Sequence, residues 1–185
     1  MKPEKSNPAQ AGAVAFCGVM SALALAFLLL TAIPVTEISL AILAGIAGVP
    51  VVIEVGRRYG LLQYAVVSVL ALLLVPTLEG KALYVAFFGY YPVLKSLVES
   101  RRLPRAAEWA IKLGVFNLAM ITAYWLMLRF FGLDSGAFTI GGVSLPWVFL
   151  LVGNGVMVLY DWCLTRLIAL YLRQWRSRVR RLFRF

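Results

Sequence analysis

The sequence contains no histidine. Histidine is the usual base of Ser-His-Asp and Cys-His catalytic systems and a common ligand of zinc and haem, so its absence argues against those sites. Acidic residues are also scarce: the 185 residues include eight Asp and Glu, scattered along the chain. No carboxylate pair suggests acid–base catalysis or a magnesium site. We therefore do not expect an enzyme.

Other motifs of cofactor and nucleotide chemistry are missing as well. The two cysteines, Cys17 and Cys163, stand far apart in apolar segments, and no CxxC pair supports a disulfide framework or a metal site. There is no GxxxxGK[ST] loop for ATP and no GxGxxG fingerprint for a dinucleotide. We expect neither a metal nor a cofactor, and any active transport would require a partner that hydrolyses ATP.

Long apolar runs dominate the chain. Hydrophobic residues make up 62% of the sequence and charged residues 14%, whereas soluble domains have about 45–50% and about 25%. Six apolar segments can be drawn, and about 20 helical residues cross a bilayer. The segments cover residues 12–33, 36–55, 61–75, 81–98, 106–131 and 146–172. The sequence predicts an all-α, polytopic membrane protein with about six transmembrane helices in residues 1–172 and a basic tail at 173–185.

The basic residues predict the orientation. With the N-terminus inside, only Lys81 and Arg129 fall on the outer side, so sixteen of the 18 Lys and Arg lie inside. This distribution follows the positive-inside rule and favours an even number of crossings. We expect a bacterial plasma-membrane protein with both termini in the cytoplasm.

Two segments outside the predicted helices allow more than one interpretation. The tail has six arginines and no acid. Nucleic acid is one possible partner for such a run, but a position directly after an apolar helix favours anionic lipid headgroups, so we expect membrane lipid and no nucleic acid. The glycine-rich connection 132–145 is either an ordinary outer loop or a flap over the outer face.

Polar residues within the segments form two predicted layers. Lys95, Asn117 and Asp161 each lie roughly 20 Å from the outer ends of their segments. We predict a buried Lys95–Asp161 pair braced by Asn117. The alternatives are that Lys95 extends to the inner surface while Asp161 meets Arg166, or that these groups form a proton or substrate site.

The second layer lies nearer the outside. Tyr90, Tyr124 and Asn154 are each roughly 10–14 Å from the outer edge by the same count. An aromatic and amide layer could hold a small ligand. Equally, these side chains could form hydrogen bonds between neighbouring helices.

The first segment carries a face of small residues that recur every three or four positions. The face consists of Ala11, Ala15, Gly18, Ala22 and Ala26. Small residues let helices approach closely in lipid. The face either packs inside the bundle or docks a partner membrane protein, with Gly18, Ala22 and Ala26 as the candidate contacts.

The chain resembles the S-components of energy-coupling-factor (ECF) transporters. That family consists of six-helix, histidine-poor membrane proteins of similar size with both ends inside. They capture a vitamin or metal at the outer face and depend on a transmembrane coupling protein and two ATPases. Their first helix meets the coupling protein through an AxxxA motif, which Ala22-x-x-x-Ala26, preceded by Gly18, matches. The resemblance implies a substrate-capturing subunit of a vitamin-like uptake transporter, with a small-molecule ligand.

A different function is compatible with the same architecture. Small membrane proteins of the cell-shape and envelope machinery are similar in size and helix number, and they act as scaffolds that hold partners. In such a protein the basic tail and the loop 101–105 would be cytoplasmic docking surfaces.

The predicted topology can be tested by cysteine labelling in a protein without Cys17 and Cys163. A Ser135→Cys variant should react with an impermeant thiol reagent in intact cells, and a Ser177→Cys variant only after lysis. The opposite pattern, or reaction of both variants in intact cells, would refute six crossings with both ends inside.

Overall fold

The described part of the chain is helical, apart from one short hairpin and the connecting turns. The computed structural model describes residues 8–33, 35–130, 139–140, 143–144 and 146–183. The α-helices are α1 Pro8–Leu30, α2 Glu37–Ile46, α3 Gly48–Glu54, α4 Arg57–Leu74, α5 Leu78–Leu83, α6 Tyr91–Ser100, α7 Arg105–Phe130, α8 Pro146–Leu170 and α9 Arg176–Phe183. Two π-helical segments cover Tyr84–Phe88 and Tyr171–Trp175. Strands β1 Thr139–Ile140 and β2 Val143–Ser144 pair antiparallel.

Several helices are long and apolar enough to cross a membrane. Within the described part of the chain there are five such stretches. They are Gln10–Leu30, Glu37–Glu54, Arg57–Leu74, Arg105–Leu126 and Trp147–Phe183. They coincide with the first, second, third, fifth and sixth predicted segments. The helical fold with several membrane-length apolar helices is therefore confirmed and is compatible with a membrane protein, while the number of crossings and the orientation stay predictions.

The fourth predicted segment, 81–98, is not one regular helix. It is divided into α5, the π-helical segment Tyr84–Phe88 and α6. Pro92 has no N–H and cannot bond the carbonyl of Phe88 four residues earlier. The N–H groups of Val93 and Leu94 both bond the Tyr90 carbonyl, at 3.0 and 3.1 Å. The proline near the middle of the segment thus accounts for the break.

The division of this segment is accompanied by close packing against α2. A Cβ atom at Gly45 would lie 2.5 Å from the carbonyl oxygen of Phe88, a distance that real Cβ atoms do not show. Only glycine lets the two backbones approach this closely. The glycine- and alanine-rich sequence of α2 therefore holds the irregular part of the fourth segment.

Helix α4 has well-defined ends. It is preceded by Gly56 with φ +107°, a conformation that favours glycine. It ends at Leu74, and Val75 is extended, as expected for a residue before proline. The helix begins at Arg57, four residues earlier than the predicted segment, because the sequence-based boundary excluded the charged Arg57 and Arg58. The gain brings the helix to 18 residues.

The chain forms two compact units. The first comprises Met1–Leu97 with Arg166–Phe185, and the second comprises Val98–Thr165. In the first unit, α1 packs against α2, α3, α4 and α9. The second unit contains α7 and most of α8. The C-terminal segment thus belongs to the same unit as the N-terminal helices, and the boundary predicted at residue 172 stays a prediction.

Candidate functional site

The small residues of α1 lie on its exposed side. All five members of the predicted face, Ala11, Ala15, Gly18, Ala22 and Ala26, are exposed. The residues that α1 buries are Ala13, Phe16, Ala24 and Leu28. A Cβ atom placed on Gly18 would meet no atom within 4 Å. Among the described residues of the first unit the face is therefore unpacked, so it is open to lipid or to a partner helix.

A group of tyrosines surrounds the irregular fourth segment in the first unit. The Tyr64 hydroxyl donates a hydrogen bond of 2.8 Å to the carbonyl of Val85. Its ring lies 5.6 Å from the ring of Tyr90 and 6.2 Å from that of Tyr84, between centroids. π-Helical turns frequently occur at functional sites. Tyr90, one of the predicted ligand residues, thus belongs to an aromatic cluster built on such a turn.

The residue before Tyr64 is a buried glutamine. Gln63 is only 4% exposed, and neither its amide nitrogen nor its amide oxygen has a hydrogen-bond partner among the residues that the structure describes. The amide oxygen faces Gly48, where an added Cβ atom would lie 3.7 Å from it and 3.6 Å from the Pro92 ring. Leaving such a group unsatisfied costs about 1–3 kcal/mol. Gln63 is therefore the polar group in this unit with the most to gain from a ligand.

In the second unit, two asparagines connect α7 with α8. Asn117 donates to the side-chain oxygen of Asn154 and Asn154 donates to that of Asn117, each at 2.9 Å. Each amide nitrogen also donates to a backbone carbonyl four residues earlier, Leu113 or Leu150. Both N–H groups of each amide are then in use. This pair is the kind of interhelical hydrogen bonding that the sequence offered as the alternative to ligand binding.

The pairing of Asn117 with Asn154 differs from the predicted layers, which placed them about 6–10 Å apart in depth. That count assumed that all helices end at one outer plane. In the structure α7 continues thirteen residues beyond Asn117, to Phe130, whereas α8 begins eight residues before Asn154, at Pro146. The two helices are therefore staggered by about five residues, or about 7.5 Å. The stagger brings the two asparagines level.

A charged cluster lies on the same two helices, five residues before Asn117 on α7 and seven residues after Asn154 on α8. Lys112 is 1% exposed, and its Nζ contacts three carboxylates. The distances are 3.1 Å to Glu99, 2.6 Å to Glu108, and 3.1 and 3.2 Å to the two oxygens of Asp161. The ammonium also lies 5.5 Å from the centre of the Trp109 ring. Lys112 thus joins the end of α6, α7 and α8 within the second unit.

The three residues of the predicted buried polar layer are divided between the two units. Lys95 is buried in α6 and belongs to the first unit, whereas Asp161 and Asn117 belong to the second. Asp161 is bound by Lys112, and Asn117 by Asn154. The predicted Lys95–Asp161 contact stays a prediction.

Tyr124 is half-buried on α7, and its proposed ligand contact also stays a prediction. Most of the connection 132–145 lies outside the described residues.

Sequence reasoning missed Lys112 and Gln63. Lys112 follows Glu108 at a spacing of four, which is the pattern of a helical ion pair and was a usable signal. Gln63 carried no comparable signal, because a single glutamine near the start of an apolar helix fits a surface position equally well.

Comparison with known proteins gives no further identification. No protein-family model matches the chain, and no curated protein or solved structure does so either. Functional inference therefore depends on the residues themselves.

The Lys112 cluster generates a stability prediction. Lys112→Met should destabilise the protein, because it leaves Asp161 and two glutamates without their shared cation. Removing one partner of a buried ion pair costs about 3–5 kcal/mol in soluble proteins. Adding Asp161→Leu should recover part of this loss, so the two substitutions should be strongly non-additive in thermal melts in detergent.

Arg105→Met is the matched control, because it removes an exposed cation from the first turn of the same helix. Its effect should stay within about 0.5 kcal/mol. Equal melting of Lys112→Met and the control would show that the cluster contributes nothing to stability. Additive effects of Lys112→Met and Asp161→Leu would show that Lys112 and Asp161 do not stabilise each other.

The unpartnered amide of Gln63 generates the opposite expectation. Gln63→Met keeps the approximate shape and removes both unsatisfied polar atoms, so the ligand-free protein should become more stable by about 1–3 kcal/mol. Asn154→Leu, which removes an amide whose donors are paired, should lower the melting temperature. A Gln63→Met protein that melts below the wild type would mean that the Gln63 amide is satisfied in the ligand-free state.

Proposed function

We propose that this protein is the substrate-capturing subunit of a small-molecule uptake transporter in a bacterial plasma membrane. It binds a vitamin-like molecule among its helices and works with a separate transmembrane coupling protein and ATPases. Both termini lie in the cytoplasm in this proposal. The chain resembles ECF S-components in its sequence, and one structural observation carries the proposal further.

That observation is the exposure of the small-residue face on α1. A membrane helix that contacts only lipid has no need of a narrow face, because lipid chains pack against large apolar side chains equally well. Gly18, Ala22 and Ala26 instead leave a shallow track between exposed large residues such as Val19 and Leu23. Such a track permits the close backbone approach of a second helix. This supports partner docking over internal packing.

The ligand site of the proposal is centred on Gln63 and the tyrosine cluster. A buried carboxamide presents one donor side and one acceptor side, so it fits a ligand with adjacent acceptor and donor atoms. The rings of Tyr64, the next residue of α4, and Tyr90 pack against each other and would supply flat apolar surface for the rest of the ligand. Ligand sites in secondary transporters often adjoin interrupted helices, and the fourth segment is interrupted next to Gln63.

A membrane scaffold is the second candidate, and the second unit favours it. There the amide N–H groups of Asn117 and Asn154 bond each other and the backbone, and Asp161 is bound to Lys112. Paired groups of this kind hold helices together and offer little to a ligand. A scaffold would keep the α1 docking face but would bind no small molecule. Retention of a defined ligand therefore separates the two candidates.

Two alanines of α1 provide a matched test of docking. Ala22 is exposed, whereas Ala24 is fully buried. Ala22→Leu should leave the melting temperature of the isolated protein unchanged and abolish co-purification of a stoichiometric membrane partner. Ala24→Leu should overpack the interior and cost about 1–3 kcal/mol, while its folded fraction still binds the partner.

Partner recovery and melting temperature should be measured on the same samples. If Ala22→Leu binds its partner as the wild type does, the docking face is not used and the transporter proposal loses its main residue-level support. If Ala22→Leu instead melts lower and binds in proportion to its folded fraction, the face packs internally.

A further inference from the structure

The C-terminal helix α9 is attached to the first unit by a buried carboxylate. The side chain of Glu54, the last residue of α3, is fully buried. It accepts hydrogen bonds from Nε of Arg176 at 3.2 Å and from Nε of Arg180 at 2.7 Å. These arginines are one turn apart, so they lie on the same face of α9. One face of the basic segment is therefore bound to the protein.

The other end of α9 contacts the beginning of α1. The ring of Phe183 packs edge-on against that of Phe16, with 5.0 Å between the centroids. The backbone carbonyl of Phe183 also approaches Gly12 so closely that a Cβ atom there would clash with it. Because α1 is followed by α2 and α3 after a short connection, the start of α1 and the end of α3 belong to the same end of this helical hairpin. Helix α9 therefore joins the end of α3 to the start of α1 within the first unit.

The opposite face of α9 and the adjoining π-helical segment combine cations with large apolar side chains. Trp175 is 58% exposed and Leu182 is 77% exposed. Arg173, Arg178 and Arg181 are exposed beside them. The sequence after Asp161 contains no acidic residue. Glu54, from α3, is the acidic residue that contacts this segment in the described part of the chain. Its single charge leaves most of the positive charge uncompensated.

The combination of arginines with exposed tryptophan and leucine indicates which environment this face of α9 contacts. A solvated tail gains nothing from exposing tryptophan and leucine, and those residues are costly in water. Helices that lie in a membrane interface carry arginine or lysine together with tryptophan and leucine, because the cations meet phosphates while the apolar side chains enter the acyl boundary. Tryptophan is enriched at that depth. The segment also follows directly from a membrane-length apolar helix.

We propose that the exposed face of α9 is a binding site for anionic phospholipids. Arg178 and Arg181 contact the headgroup phosphates, and Arg173 adds to their attraction. Trp175 and Leu182 enter the adjacent acyl region. The Glu54 contacts and the Phe16–Phe183 contact hold the helix against the first unit, so that lipid binding belongs to a fixed site and not to a flexible charged tail.

The test compares lipid retention by the full-length protein in nanodiscs made from equal parts of phosphatidylglycerol and phosphatidylcholine. Native mass spectrometry counts the lipids that stay bound on release from the disc. The wild type should retain phosphatidylglycerol preferentially. An arginine near an anionic surface raises affinity roughly fivefold, so Arg178→Gln with Arg181→Gln should weaken retention about 25-fold.

Arg101→Gln with Arg102→Gln is the control of equal charge, because both residues are exposed in the turn between α6 and α7. This variant should retain phosphatidylglycerol nearly as the wild type does. Equal losses in the two variants would show general charge attraction only and overturn the proposal. The proposal is also wrong if the α9 variant keeps its lipids but loses a bound acidic protein, since the face would then dock protein. Melting curves of both variants establish that they are folded.

Discussion

The cost of a polar group in apolar surroundings is the constraint on which this structure depends. In a chain with so few charges, the buried cations and amides need partners within the protein, because apolar surroundings offer none, and Gln63 is the amide described above that lacks one. Lys112 meets three carboxylates, Asn117 and Asn154 bond each other, and Glu54 holds two arginines. These contacts fix which helices are neighbours within each unit. Apolar packing alone would leave their rotation and stagger undefined, since apolar side chains pack equally well against lipid.

Much of the fold could be predicted from the sequence, because long apolar runs and their interruptions are local signals. Pro76 ends the third segment in the sequence and in the structure, and Pro92 coincides with the division of the fourth. The offset of one helix along its axis relative to its neighbour could not be predicted in the same way. Depth counting failed for Asn117 and Asn154 because the stagger of α7 against α8 depends on contacts between them. The partners of Asp161 were uncertain for the same reason, and Lys112 was overlooked although its spacing from Glu108 was informative.

The candidate site was predicted in part. The small-residue face of α1 was visible in the sequence, but its periodicity could not decide between an inward and an outward orientation. The structure exposes it, because Phe16, Ala24 and Leu28 occupy the inward side. Gln63 was not predicted, since its isolation becomes evident only when the surrounding residues are in position. The exposed face and the unpartnered amide fit one account, in which the first unit presents a docking surface to a membrane partner and a polar anchor to a small ligand.

The central claim is that this protein captures a small molecule and delivers it through a membrane partner. Native mass spectrometry of the protein, purified gently from its own membranes, tests it most directly. The account predicts a defined small-molecule mass on the chain and a larger species that contains a second integral membrane protein. A protein that carries no small molecule but still associates with partner proteins would contradict capture and favour a scaffold. A chain with neither ligand nor partner would contradict both.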